Sequence, residues 1–180
     1  MKKICIFGGS FDPPHIGHEM IIKELIKLDF DLILVMPTKE VEYKTINSNV
    51  EDRINMIKII VKKYNDKVIF SDMEINRVGI TKTFDTIKSI KDIYKDYEIC
   101  FALGSDSINT LPTWDEYEYL KENVNFIIAD REDCIIPNDL KYVKIQNNIV
   151  DISSTELRKN LKKEYLDIDV YNYIIENKLY

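Results

Sequence analysis

Both histidines of the chain lie in one short stretch, His15-Ile16-Gly17-His18, directly after a glycine turn, Gly8-Gly9-Ser10-Phe11-Asp12-Pro13-Pro14. An apolar run, Ile4-Cys5-Ile6-Phe7, precedes the turn, and an amphipathic stretch over residues 16–28 follows it. The order strand, glycine turn, paired imidazoles, helix suits phosphate chemistry. Backbone N–H groups at a helix N-terminus lack intrahelical partners, and together with the helix dipole they favour negative charge. Two histidines three apart share one face of the first helical turn, so both can donate to one developing oxyanion. Gly8 and Gly9 bring no side chain between main chain and ligand, while Pro13 and Pro14 fix the entry into the helix. The bland alternative is a plain strand-to-helix turn with two incidental histidines.

Ile152-Ser153-Ser154-Thr155-Glu156-Leu157-Arg158 is a second constellation. Ser153, with Glu156 three residues later, forms a capping box that opens a helix. The same geometry, with Ser and Thr hydroxyls and Arg158 one turn inside, also makes an anion site. Gly104-Ser105-Asp106 follows an apolar run, where a carboxylate could accept hydrogen bonds from ribose hydroxyls. Trp114 is the only tryptophan. It is either a packing residue or, if open to a cleft, a flat face for an aromatic ring.

The elements that must hold these groups alternate along the chain. Apolar runs over 4–7, 32–36, 68–70, 99–103, 126–129 and 142–145 read as buried strands. Helical patterns cover 16–28, 50–64, 84–94, 154–162 and 169–177, the second with Val50, Ile54, Ile57 and Val61 in phase. Continuously apolar strands separated by helices predict an α/β fold, a mostly parallel sheet with helices on both faces. Ligands in such sheets bind beyond the carboxyl ends of the strands. Gly8-Gly9, Pro37-Thr38 and Gly104-Ser105-Asp106 all fall there.

With 180 residues and no repeat or linker, the chain reads as one domain over 1–180. Its net charge of −6 and pI of about 5.1 argue against nucleic acid and anionic membranes as partners. A polyanionic ligand must therefore meet a small cationic site, for which His15, His18, Lys44 and Arg158 are the candidates. Cys5, Cys100 and Cys134 show no paired spacing, and two histidines make no zinc set, so no metal ligands are expected. No run reaches membrane-spanning length, and a cytoplasmic, reduced setting is expected. Assembly into a homo-oligomer is allowed but not required by anything in the chain.

The stretch from Gly8 to His18 resembles the signature of the nucleotidylyltransferase superfamily, and Ile152 to Arg158 resembles its C-terminal signature. Gly104-Ser105-Asp106, Leu111-Pro112-Thr113-Trp114, Arg53 with Met56, and Val170-Tyr171-Asn172-Tyr173-Ile174 followed by Leu179-Tyr180 are similar to bacterial nicotinate-mononucleotide adenylyltransferases. The likeness covers residues 4–180. It implies a Rossmann-like, doubly wound fold that joins the AMP part of ATP, with Mg²⁺, to nicotinate mononucleotide. Deamido-NAD and pyrophosphate are the products. Carried over, Gly8, Gly9, Ser10 and Phe11 line the ATP side, and His15 and His18 stand at the phosphates as catalytic groups. Ile152, Ser153, Thr155 and Arg158 close over adenine and the phosphate chain. Lys44, Thr83, Gly104, Asp106 and Trp114 fall on the acceptor side, with Trp114 against the pyridine ring. Two departures stand out. Val41-Glu42-Tyr43-Lys44 keeps only the lysine of the family's usual Pro-Pro-His-Lys, and Asp115 replaces a common aromatic residue. Their negative charge would not repel an amide ring, so nicotinamide mononucleotide is the alternative acceptor. Phosphopantetheine, or a non-catalytic nucleotide sensor, follow as further alternatives.

Overall fold

The computed structural model describes residues 1–39, 46–130, 135–146 and 152–180. Among them the apolar runs form six strands: β1 (Lys2–Gly9), β2 (Leu32–Pro37), β3 (Val68–Phe70), β4 (Tyr97–Gly104), β5 (Asn125–Asp130) and β6 (Tyr142–Gln146). The helices are α1 (Ile16–Lys27), α2 (Val50–Val61), α3 (Thr83–Ile93), α4 (Ser105–Ile108), α5 (Tyr117–Asn123), α6 (Ser154–Lys159) and α7 (Ile168–Glu176). Every strand pair is parallel, in the order β3-β2-β1-β4-β5-β6. The sheet is doubly wound about β1, with β2 on one flank and β4 on the other.

Side-chain alternation along the strands builds two cores. Cys5, Phe7, Ile33, Val35, Cys100 and Ala102 face α1, α2 and α7 through Leu25, Met56, Ile57, Val170 and Ile174. Ile4, Ile6, Leu34, Phe101 and Leu103 face α3 and α5 through Ile87, Ile90 and Leu120. Helices thus cover both faces, which is why the strands lack a polar side.

Three local features differ from the sequence expectation. The buried face of α2 is Arg53, Met56, Ile57 and Ile60 rather than the Val50–Ile54–Ile57–Val61 stripe, because a buried arginine holds the inward position. The helix at 154–162 stops at Lys159, since Asn160 is already extended. The short helices α4 and α5, and a 3-10 turn at Leu111–Thr113 between them, carried no clear signal. α5 has no side-chain cap, begins after Glu116 in the left-handed region, and buries only Leu120.

Candidate active site

β1 ends at the switch point, and the chain turns sharply through Ser10 to Pro14 into α1. A Cβ at Gly9 would lie 3.2 Å from the Phe11 ring, so a larger residue there would have to push that buried ring aside. The Phe11 ring is buried and meets Phe7 edge-on at 5.5 Å and His18 at 4.9 Å. It props an imidazole, leaving only its main chain to face a ligand.

The paired histidines cap the helix that they open. His15 is the N-cap, and its Nδ1 accepts from the Gly17 N–H at 3.2 Å. His18 reaches back, its Nδ1 accepting from the His15 N–H at 3.1 Å. This is a reciprocal capping box made of two imidazoles, with ring centroids 3.9 Å apart. A nitrogen that accepts from an N–H carries no proton. Both neutral rings are therefore held as the tautomer that donates through Nε2–H. His15 is buried and His18 partly so.

The two motifs, far apart in sequence, are bonded together. Ser154 Oγ donates to the Pro13 carbonyl at 2.9 Å, in a buried contact. Arg158 Nη1 donates to the Asp12 carbonyl at 2.7 Å and lies 3.7 Å from its carboxylate, while Nη2 donates to Thr155 Oγ1 at 3.2 Å. Ser153 caps α6, its Oγ accepting from the Glu156 N–H at 3.2 Å while Glu156 returns to the Ser153 N–H. The capping role and the closeness to the glycine turn thus coexist.

Three residues that brace the turn stand in the stretches that carry the family resemblance, but the sequence assigned them no role. Arg53 is 1% exposed and donates to the carbonyls of Ser10 (3.0 Å), Thr38 (2.7 Å) and Lys39 (3.3 Å), tying the ends of β1 and β2 together. Its Nε has no partner among the described residues. Asp12 is fully buried, and accepts from the Asn47 and Ser48 N–H groups and from the Tyr180 hydroxyl at 2.7 Å. Burial alone would raise its carboxyl, but these donors outweigh it and hold it below the ordinary range. Burial, and donation to Asp12, push the Tyr180 hydroxyl well above a free tyrosine.

On the other flank, Thr83 opens α3, whose N-cap Lys82 supplies no side-chain cap. Trp114 is half-buried, meets Phe101 edge-on at 6.2 Å and donates from Nε1 to Thr110 Oγ1 at 3.3 Å. Lys82 Nζ pairs with Asp115 at 3.0 Å. Among the described residues, a Cβ at Gly104, the last residue of β4, would meet nothing within 4 Å. Lys44 and Glu42 lie outside the described residues, and Asp106 is described by its backbone alone. Among the described residues no group of three or more His, Cys, Asp or Glu could hold a metal ion.

The segment leading to Thr83 holds a buried acid. Glu74 Oε1 accepts from Thr86 Oγ1 at 2.7 Å, and Oε2 has no partner among the described residues. Arg77 donates to Thr86 Oγ1 at 3.1 Å and Ser89 Oγ at 2.9 Å. Burial pushes the Glu74 carboxyl up to about 7, from an ordinary 4.5, despite the Thr86 bond and the Arg77 charge. The folded state therefore binds a proton that the unfolded chain has released. Its stabilising effect is complete below about 4.5 and is lost as pH rises to about 7. Glu74→Gln is expected to be more stable than wild type at pH 8, by up to about 3 kcal/mol, with no such gain at pH 4. Urea unfolding at the two pH values checks this; an equal effect at both would contradict it.

A doubly wound parallel sheet with a histidine-capped glycine turn at its switch point defines a class of nucleotide-handling proteins. The cytidylyltransferase-like family model matches residues 6–160, and the chain belongs to that family. Within it, the chain is 35% identical over 175 residues to a probable nicotinate-nucleotide adenylyltransferase of Nitratiruptor sp., covering 96% of this chain and 97% of that relative. It is also 35% identical to the Bacillus licheniformis protein of that description, over all of this chain and 99% of the other. The Plasmodium falciparum nicotinic acid mononucleotide adenylyltransferase complexed with NaAD superposes with a TM-score of 0.88, at 31% identity, covering 99% of this chain and 97% of that one. The same enzyme complexed with APC gives 0.86.

Proposed function

We propose that the chain transfers the AMP part of MgATP to nicotinate mononucleotide, forming deamido-NAD and pyrophosphate. One observation carries the reading: the reciprocal imidazole cap at the switch point, bonded through Asp12 and Pro13 to the second motif. The names of the similar proteins support it. A phosphate oxygen of the acceptor attacks the α-phosphorus of ATP, and the bond from that phosphorus to the β-phosphate bridge breaks. The attacking oxygen is already anionic, so no general base is needed. The protein's work is positioning and charge stabilisation.

In this reading the main chain of Gly8, Gly9, Ser10 and Phe11 follows the phosphates, and Nε2–H of His15 and His18 donates to the oxyanions. Ile152, Ser153, Thr155 and Arg158 close the ATP side, and Thr83, Gly104 and Trp114 take the acceptor, joined by Lys44 and Asp106. The metal is part of the MgATP substrate, held by phosphates and water. A cytoplasmic setting belongs to the same reading, supported by free, buried Cys5 and Cys100. Among the described residues no helix is long and apolar enough to cross a membrane.

Pyrophosphate release from MgATP, measured with nicotinate mononucleotide, nicotinamide mononucleotide and phosphopantetheine, tests the reading. The expected result is fastest release with the nicotinate acceptor. Release with phosphopantetheine alone, or ATP binding with every acceptor silent, would overturn it.

A further inference from the structure

The ion pair between Lys82 and Asp115 joins the two segments that the proposed function brings to the pyridine ring. Lys82 directly precedes Thr83 at the uncapped start of α3, and Asp115 directly follows Trp114. Both side chains are about half exposed, at 3.0 Å. Pairs this exposed add little to stability, so the position of this one matters more than its strength. Left alone, Asp115 would set a negative charge beside Trp114, and Asp85 adds another on the first turn of α3. Lys82 pairs with the first of these, at a helix end whose N–H groups favour an anion. With Asp115 so paired, the repulsion that its charge would offer an acidic ring is offset.

We propose that Lys82 is the acceptor-specificity residue of this chain: paired to Asp115, it masks that carboxylate and lets a carboxylated pyridine bind in preference to the amide. The proposal rests on the adenylyl-transfer reading above. It also makes the Asp115 departure compatible with a nicotinate acceptor.

The test compares kcat/KM for nicotinate and nicotinamide mononucleotides in wild type, Lys82→Gln, Asp115→Asn and the double variant. Read as a ratio of the two acceptors, the result is insensitive to the amount of active enzyme. One unit charge near a ring carboxylate at a protein surface is expected to shift binding by about three- to tenfold. Lys82→Gln should therefore lower the acid-to-amide ratio about tenfold, through KM for the acid acceptor. Asp115→Asn should raise it about threefold, and the double variant should recover part of the loss, to about threefold below wild type. The changes should shrink at about 1 M salt. A ratio that moves less than about twofold in Lys82→Gln, or a fall in kcat shared equally by both acceptors, would overturn the proposal. Wild-type silence with both acceptors would remove the transfer reading, and the proposal with it.

Discussion

Replacing His18 by asparagine is expected to leave α1 capped and to lower kcat by about 10²–10³. The geometry separates the two jobs of the ring. Nδ1 accepts from the His15 N–H, and an asparagine Oδ1 can stand in the same place. Nothing in asparagine replaces the donor at Nε2. His15→Asn makes the matching test, because asparagine is among the best N-caps and can keep the bond from the Gly17 N–H. Both variants should unfold within about 0.5 kcal/mol of wild type while losing turnover. His15→Ala should lose turnover and, in addition, about 1 kcal/mol of stability with the cap. Steady-state kinetics should put the loss in kcat and kcat/KM together, as for an interaction made only in the transition state. If His18→Asn turned over within about threefold of wild type, the oxyanion role would be gone and the pair would be a cap alone.

Local spacing explains why the histidine pair, the Ser153–Glu156 box and the six strands could be read from the sequence. Each depends on residues within one element or one turn of each other. Strand ends were less legible: apolar character marks residues 4–7, whereas ladder bonding extends β1 from Lys2 to Gly9. The α2 face was misread because Arg53 stands where periodicity expects an apolar residue, and its reason for burial is three carbonyls on two distant loops. The brace of the turn was invisible on the same ground. Ser154 and Pro13 are 141 positions apart, Arg158 and Asp12 146, and Tyr180 and Asp12 168. No local pattern announces such contacts. Lys82 and Asp115 are another case: one substitution reads as added negative charge, and only the fold shows the cation beside it.

Asp12→Ala should be among the most damaging changes outside the reacting groups, costing about 3–5 kcal/mol. The carboxylate is fully buried and serves two backbone N–H groups, the Tyr180 hydroxyl and the Arg158 guanidinium. Alanine leaves all of them, and the buried charge of Arg53, without their anion. Tyr180→Phe removes one donor to that carboxylate and should cost less, about 1.5–3 kcal/mol. The pH dependence has a definite sign. Because Asp12 is held below its ordinary value of 3.8, its stabilising effect is present above that value and is lost as pH falls through the lower folded one. Wild type should therefore lose stability in acid more steeply than Asp12→Asn, which has no carboxyl to protonate. Since the same turn delivers His15 to its place, Asp12→Asn should also lower kcat while the protein remains folded at neutral pH. Denaturant titrations from about pH 2 to pH 7, run beside turnover at neutral pH, check both halves. If Asp12→Ala unfolded within about 1 kcal/mol of wild type, the anchoring of the phosphate turn would have to lie with Arg53 and Ser154 instead.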